Sequence, residues 1–137
     1  MSRCPALVIA AAIGGCAPHT APPAGTAYDG SYIGLNRLIR GAGFQCGAPS
    51  HAEQVTVTGG RFDYPFAVSP PRNVPVPVPI AVDGTFAGQS QYGTEDYTPL
   101  PRYRTAWVIV TGRIADGTLE ASITDYRCTR RLTARLG

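Results

Sequence analysis

Residues 74–80 read Val-Pro-Val-Pro-Val-Pro-Ile, and no helix can contain them. Each proline removes a backbone N–H and clashes with the preceding helical turn. In a strand, alternate N–H groups point to the same side, so Pro75, Pro77 and Pro79 all lack a donor toward one neighbour. Two readings remain open: an edge strand that cannot be extended on that side, or a polyproline-like connection. Either one blocks edge-to-edge association.

The rest of the chain follows the same β pattern. Residues 30–40 carry Tyr32, Ile33, Leu35, Leu38 and Ile39, and Gly30, Gly34 and Gly41 would weaken a helix there. Residues 41–50 read as a loop. Val55 and Val57 alternate with Thr56 and Thr58, and Gly59-Gly60 signals a tight turn. Phe62, Tyr64, Phe66 and Val68 then share one face of the return strand, where Pro65 favours an edge or a bulge. Ile80 and Val82 lead into Asp83-Gly84, and residues 85–90 return with Phe86. Residues 91–102 read as a long polar loop, and long loops often carry function. Residues 103–114 hold the strongest strand, nearly continuous from Ala106 to Val110. Asp116-Gly117 turns it back into the alternating Leu119, Ala121 and Ile123. After a turn near Asp125, a final strand over 127–136 places Cys128, Leu132, Ala134 and Leu136 on one face. Arg130 shares that face, either buried with a partner or turned outward by a bulge. The sum is an all-β fold, an antiparallel meander of about eight short strands closed as a small barrel or folded as a sandwich.

The first sixteen residues differ from all this. Arg3 supplies one charge, Ala6–Ile13 an apolar run, and two small residues precede Cys16. This is the order of a secretory signal, and the run is too short to span a bilayer. Ile13-Gly14-Gly15-Cys16 resembles the lipobox of bacterial lipoproteins. The resemblance implies that residues 1–15 are a signal peptide and that the Cys16 thiol takes a diacylglycerol. Its amino group would then be acylated, with two or more chains making the anchor stable. Ala17 rather than Asp after Cys16 implies, by the same resemblance, passage to the outer membrane. The alternative is ordinary secretion of a periplasmic or soluble protein. Residues 16–27 are rich in Pro, Ala and Thr and read as a flexible spacer lifting a β domain of residues 28–137 off the membrane.

Cysteine arithmetic agrees with this division. With Cys4 in the discarded segment and Cys16 lipidated, Cys46 and Cys128 remain in an oxidising compartment, and a Cys46–Cys128 bridge is the one intrachain pairing left. It would pin the loop after the first strand to the last strand and so join the ends of the sheet.

Every basic residue is Arg, scattered through the sequence, and the net charge is only +3. Nucleic-acid binding wants clustered charge, so it is set aside. Asp29, Asp83 and Asp116 each precede Gly and read as turn-formers. No spacing singles out a carboxylate pair for acid–base work. His19 and His51 near cysteines do not complete a tetrahedral metal site, and no Gly-x-Ser-x-Gly elbow is present. No cofactor is implied, and an enzyme is not the expected class.

One stretch has binding-like chemistry. Residues 92–107 collect Tyr92, Tyr97, Arg102, Tyr103, Arg104 and Trp107, residue types enriched in binding hot spots. The plain reading is a barrel-rim loop with Tyr103 and Trp107 packed in the core. The globular part is similar in texture to small exported proteobacterial β-domain proteins of no known activity, which implies no catalytic residues. The expectation is a membrane-anchored envelope lipoprotein whose scaffold binds a protein or other envelope component, with Tyr92, Tyr97, Arg102 and Arg104 as the binding residues. The alternative is a small barrel that carries an apolar ligand or plugs a protease. A cavity lined by Phe62, Phe86 and Trp107 would favour the carrier; a filled barrel with an exposed Tyr/Arg patch would favour the binding module.

Overall fold

A computed structural model describes residues 22–69, 72–96 and 102–137, without the side chains of Ser69, Glu95, Asp96, Arg102 and Tyr103. The order is β1 (Gly30–Arg40), α1 (Gly43–Cys46), β2 (Ser50–Val57), β3 (Arg61–Ser69), β4 (Arg72–Pro79), β5 (Thr85–Asp96), β6 (Arg102–Ala115), β7 (Thr118–Thr124) and β8 (Thr129–Leu136). Six strands form one antiparallel sheet in the order β2-β1-β8-β7-β6-β5, curled into a half-barrel, and β3 pairs with β4 as a separate hairpin. Phe62, Tyr64, Val76 and Val78 of the hairpin and Tyr32, Val108, Leu119 and Leu132 of the sheet bury into one core.

The meander closes on itself through a ladder between β1 and β8, with Tyr32 opposite Leu136 and Asn36 opposite Leu132. The first and last strands of the chain are therefore joined by backbone hydrogen bonds, and the disulfide has another task. Ladders are missing on both sides of the hairpin, between β2 and β3 and between β4 and β5, and the second gap follows from the prolines. β4 presents its valine N–H groups to β3, with Val76 opposite Tyr64 and Val78 opposite Phe62. Its proline side faces β5, where the Ser90 hydroxyl donates to the Pro75 carbonyl at 2.9 Å. A Cβ on Gly88 of β5 would stand 2.3 Å from the Pro77 carbonyl oxygen, so only glycine permits that approach. With no N–H to offer, β4 is a strand on one edge and a row of acceptors on the other. Single bridges, Thr58 to Arg61 and Ile80 to Phe86, connect the hairpin to the strands on either side.

Phe86 closes the end of the barrel near this turn. Its ring meets Phe62 edge-on, with centroids 5.3 Å apart, and lies over Gly112 of β6. An aromatic ring over a cross-strand glycine replaces the packing that the glycine lacks. Asp116 (φ 51°) and Gly117 (φ 70°) turn β6 into β7 with both residues left-handed, as a two-residue hairpin of the primed type requires. Asp29 does something different from the turn-forming role expected of it: its carboxylate accepts from the N–H groups of Gly59 and Gly60, tying the start of β1 to the β2–β3 turn.

Several expectations need correction. Residues 91–96 continue β5 and Arg102 opens β6, so most of the expected polar loop is hairpin, with Thr94 opposite Arg104. The inward parity of Phe86, Gly88 and Ser90 continues through Tyr92 and Thr94, and polar outward residues disguised it. Trp107 is 47% exposed, because Ala106, Val108 and Val110 take the inner face. Leu136 is exposed at the end of β8. The loop 41–50 holds the short helical turn α1. The last part of the stretch read as spacer is bonded to the barrel: the Ala24 N–H donates to the Ile80 carbonyl, and the Val82 N–H to the Pro22 carbonyl.

Candidate functional site

The end of the barrel away from Phe86 is polar inside. Asn36 (β1), Glu53 (β2), Tyr64 (β3) and Arg130 (β8) all occupy inward positions of their strands. Asn36 Nδ2 donates to Glu53 Oε2 at 2.6 Å and to the Tyr64 hydroxyl at 3.0 Å. Arg130 Nε donates to Asn36 Oδ1 at 2.7 Å, and its terminal nitrogens donate to the carbonyls of Cys46 and Ala48, each at 2.8 Å. Arg130 is therefore the buried alternative of the two considered, 8% exposed. Its charge is spread over backbone carbonyls of the 41–50 loop, so the guanidinium holds that loop over the barrel end.

The disulfide works on the same loop. Cys46 and Cys128 are bonded, with Cα atoms 5.7 Å apart. They clamp α1 to the β7–β8 turn. Asp125 shapes that turn from below: Oδ1 accepts from the N–H groups of Arg127 and Cys128, and Oδ2 accepts from the Tyr92 hydroxyl at 2.7 Å. Between these groups lies a cavity of about 240 Å³, bordered by Phe66, Val68 and Ile123 as well as Glu53, Arg127 and His51. Both carboxylates reach it, but Asp125 is committed on both oxygens. Burial, then the neighbouring Glu53 carboxylate, pushes the Tyr64 hydroxyl well above its ordinary range, so it stays a donor. Burial and the bond to Asp125 do the same to Tyr92. Arg127 Nε is buried without a hydrogen-bond partner and stands 3.8 Å from Asp125 Oδ2.

Of the four expected binding residues, the side chains of Tyr92 and Arg104 are described, and their settings differ. Tyr92 is buried and belongs to this interior network. Arg104 is exposed on β6. Arg102 opens β6, and its side chain, like Tyr97 and Cys16, lies outside the described residues. What gathers outside the barrel instead is Trp107, Ile109 and Tyr126, all large, apolar and exposed, bordering one shallow groove with Arg104 and Thr105. The Arg127 guanidinium lies 5.0 Å from the Tyr126 ring centre, a cation–π contact. The sequence signal for this patch was parity: in Ala-Trp-Val-Ile-Val, Trp107 and Ile109 must share one face and Val108 and Val110 the other. Tyr126 carried no signal, since a turn residue has no parity. The interior network was hidden because Asn36, Glu53 and Tyr64 come from three strands with no local pattern. Among the described residues Phe62 and Phe86 pack on each other and Trp107 is exposed, so these three do not line one cavity.

Comparison with protein families, with curated proteins and with solved structures finds no match to the chain in any of the three.

Proposed function

We propose that the chain is an exported, lipid-anchored and non-enzymatic β-barrel protein that binds a protein or another envelope component through its outer face at Trp107. The observation that supports this is the combination of a well-filled apolar core with Trp107, Ile109 and Tyr126 exposed beside Arg104. Aromatic residues and Arg dominate binding hot spots because they bury large rigid surface and retain a polar edge. Anchorage rests on the lipobox-like Ile13-Gly14-Gly15-Cys16 and on the pairing that leaves Cys16 free of the disulfide.

The test uses a photo-crosslinking residue at position 107 in intact cells, with the same residue at Arg61 as control. A discrete adduct at position 107 and none at position 61 is expected; equal labelling at both would overturn the binding face. The chain has a single Trp, so its emission reports directly on the face. Binding should shift it to the blue, and Tyr126→Ala should weaken binding about tenfold or more. Anchorage is tested separately by fatty-acid labelling of wild type and Cys16→Ser, where equal labelling would remove the lipid.

One observation favours a second reading. The cavity of about 240 Å³ is smaller than the usual drug-sized pocket and is bordered by a buried Arg127 Nε without an acceptor. It suits a small polar molecule rather than the apolar ligand expected of a carrier. Native mass spectrometry of the purified chain decides: a retained small mass, lost in Arg127→Met, favours the carrier.

A further inference from the structure

The arginines are scattered in sequence, but the β1–β8 register collects three of them. Arg37 stands directly opposite Arg131, and Arg135 stands opposite Ile33. All three are exposed on the outer face. Like charges directly opposite on a sheet repel, and such a pair persists at a cost unless an anion lies over it. Among the described residues no directly opposite neighbour supplies one. The next residues across the ladders are Ser50 beside Arg37, and Ser122 and Thr118 beside Arg131 and Arg135. Glu120 is the nearest acidic position on β7, diagonal to both β8 arginines, and it faces Arg113 on its other side. Among the described residues no ion pair joins Arg37, Arg131 or Arg135 to an acid.

Between the arginines the same face is apolar. Ile33 is 56% and Ile39 57% exposed, with Leu35 between them. Arginine heads with branched apolar side chains among them match a surface of phosphates over hydrocarbon. The tether fixes which end of the barrel lies near the membrane, though it leaves the barrel beside β4 and β5, across from β1 and β8. Even fully extended, the stretch from Cys16 to Pro22 reaches at most about 20 Å. Pro22 is bonded to Val82, and the chain enters β1 at Gly30 after a short turn. Ile33 and Arg135 therefore lie toward the tethered end of the face, with Arg37 and Arg131 farther along it.

We infer that the outer face of β1 and β8 seats the barrel side-on against an anionic phospholipid surface, with Arg37, Arg131 and Arg135 on the headgroup phosphates and Ile33, Leu35 and Ile39 at the acyl boundary. The proximity argument rests on the reading that Cys16 carries the lipid; the arginine chemistry does not. On this arrangement the tether holds the barrel down instead of lifting it, and the Trp107 patch, with β7 between it and this face, stays open to a partner.

The test is co-sedimentation of the full chain carrying Cys16→Ser with vesicles of phosphatidylglycerol in phosphatidylcholine, against phosphatidylcholine alone. The leader is the same in every variant, so its contribution cancels in the comparison. The triple variant Arg37→Gln, Arg131→Gln, Arg135→Gln should lose on the order of a hundredfold in partition to the anionic vesicles and little on the neutral ones. Added salt should produce the same loss in the parent chain. Undiminished binding of the triple variant to anionic vesicles would overturn the inference. So would a dimer in solution that Leu35→Asp dissociates, since a second copy would then cover the face. Absent fatty-acid labelling of Cys16 together with arginine-dependent binding supports the inference and removes only the anchor.

Discussion

Around Phe62 and Phe86 the barrel is filled by rings and branched side chains; around Arg130 it is filled by hydrogen bonds and leaves a cavity of about 240 Å³. The first end depends on volume: remove atoms and a void remains. The second depends on partners: remove one donor and several buried acceptors lose their bonds. One continuous interior thus has two ways to fail, and the Cys46–Cys128 bridge sits at the end whose packing is weaker.

That difference can be broken or sharpened by experiment. The largest effect is expected at the apolar end: Phe86→Ala should cost about 3–5 kcal/mol in urea unfolding, because it empties the ring site and uncovers Gly112. A loss below about 1 kcal/mol would mean that the end collapses freely and that the contrast is false. Next comes the clamp. Cys46→Ser with Cys128→Ser opens a bridge spanning a sequence separation of 82 and should cost about 2–5 kcal/mol. Hydrogen exchange should quicken first in residues 41–50 and 125–128; a uniform rise over all strands would erase the distinction between the ends.

Arg130→Met should cost about 2 kcal/mol, by leaving Asn36 Oδ1 and the carbonyls of Cys46 and Ala48 without this donor. The disulfide should still form, and the cost should persist in the double-serine background if the two devices act separately. The smallest effect concerns alkali. Tyr64 and Tyr92 have raised folded-state values, so the fold favours their neutral forms. Their contribution is complete below the unfolded tyrosine value of about 10 and is lost as pH rises through the folded values. Urea midpoints should fall above about pH 10, and Tyr64→Phe should flatten that fall. An unchanged slope in Tyr64→Phe would place the alkaline sensitivity elsewhere.

The apolar end was legible in the sequence and the polar end was not. Alternation alone groups Phe62 with Tyr64 and Leu119 with Ala121 and Ile123, all of them buried, since a buried face imposes period two on every strand it touches. Asp116-Gly117 marked its hairpin by backbone chemistry. Arg130 was visible only as an oddity on an apolar face, because its acceptors come from a loop and from β1, remote in sequence. The long β5–β6 hairpin was missed for a different reason. Its outward residues are polar, and composition was read where parity should have been followed through Tyr92 and Thr94. The Arg37–Arg131 pair shows the limit most simply: only a register can place two residues opposite each other, and scattered positions in a sequence carry no register.

Pro75, Pro77 and Pro79 decide one of the two places where the hydrogen-bonded net around the barrel stops, the other lying between β2 and β3. A cylinder with an unbroken net resists shear at every strand; one with a seam yields along it first. The proline seam runs between β4 and β5 and is crossed by the Ser90 hydroxyl, not by a ladder. Restoring a single N–H with Pro77→Thr would aim a donor at the β5 backbone beside Gly88 and begin to zip that seam. The compliance of this seam is thus written in three missing hydrogens, and it can be tuned one hydrogen at a time.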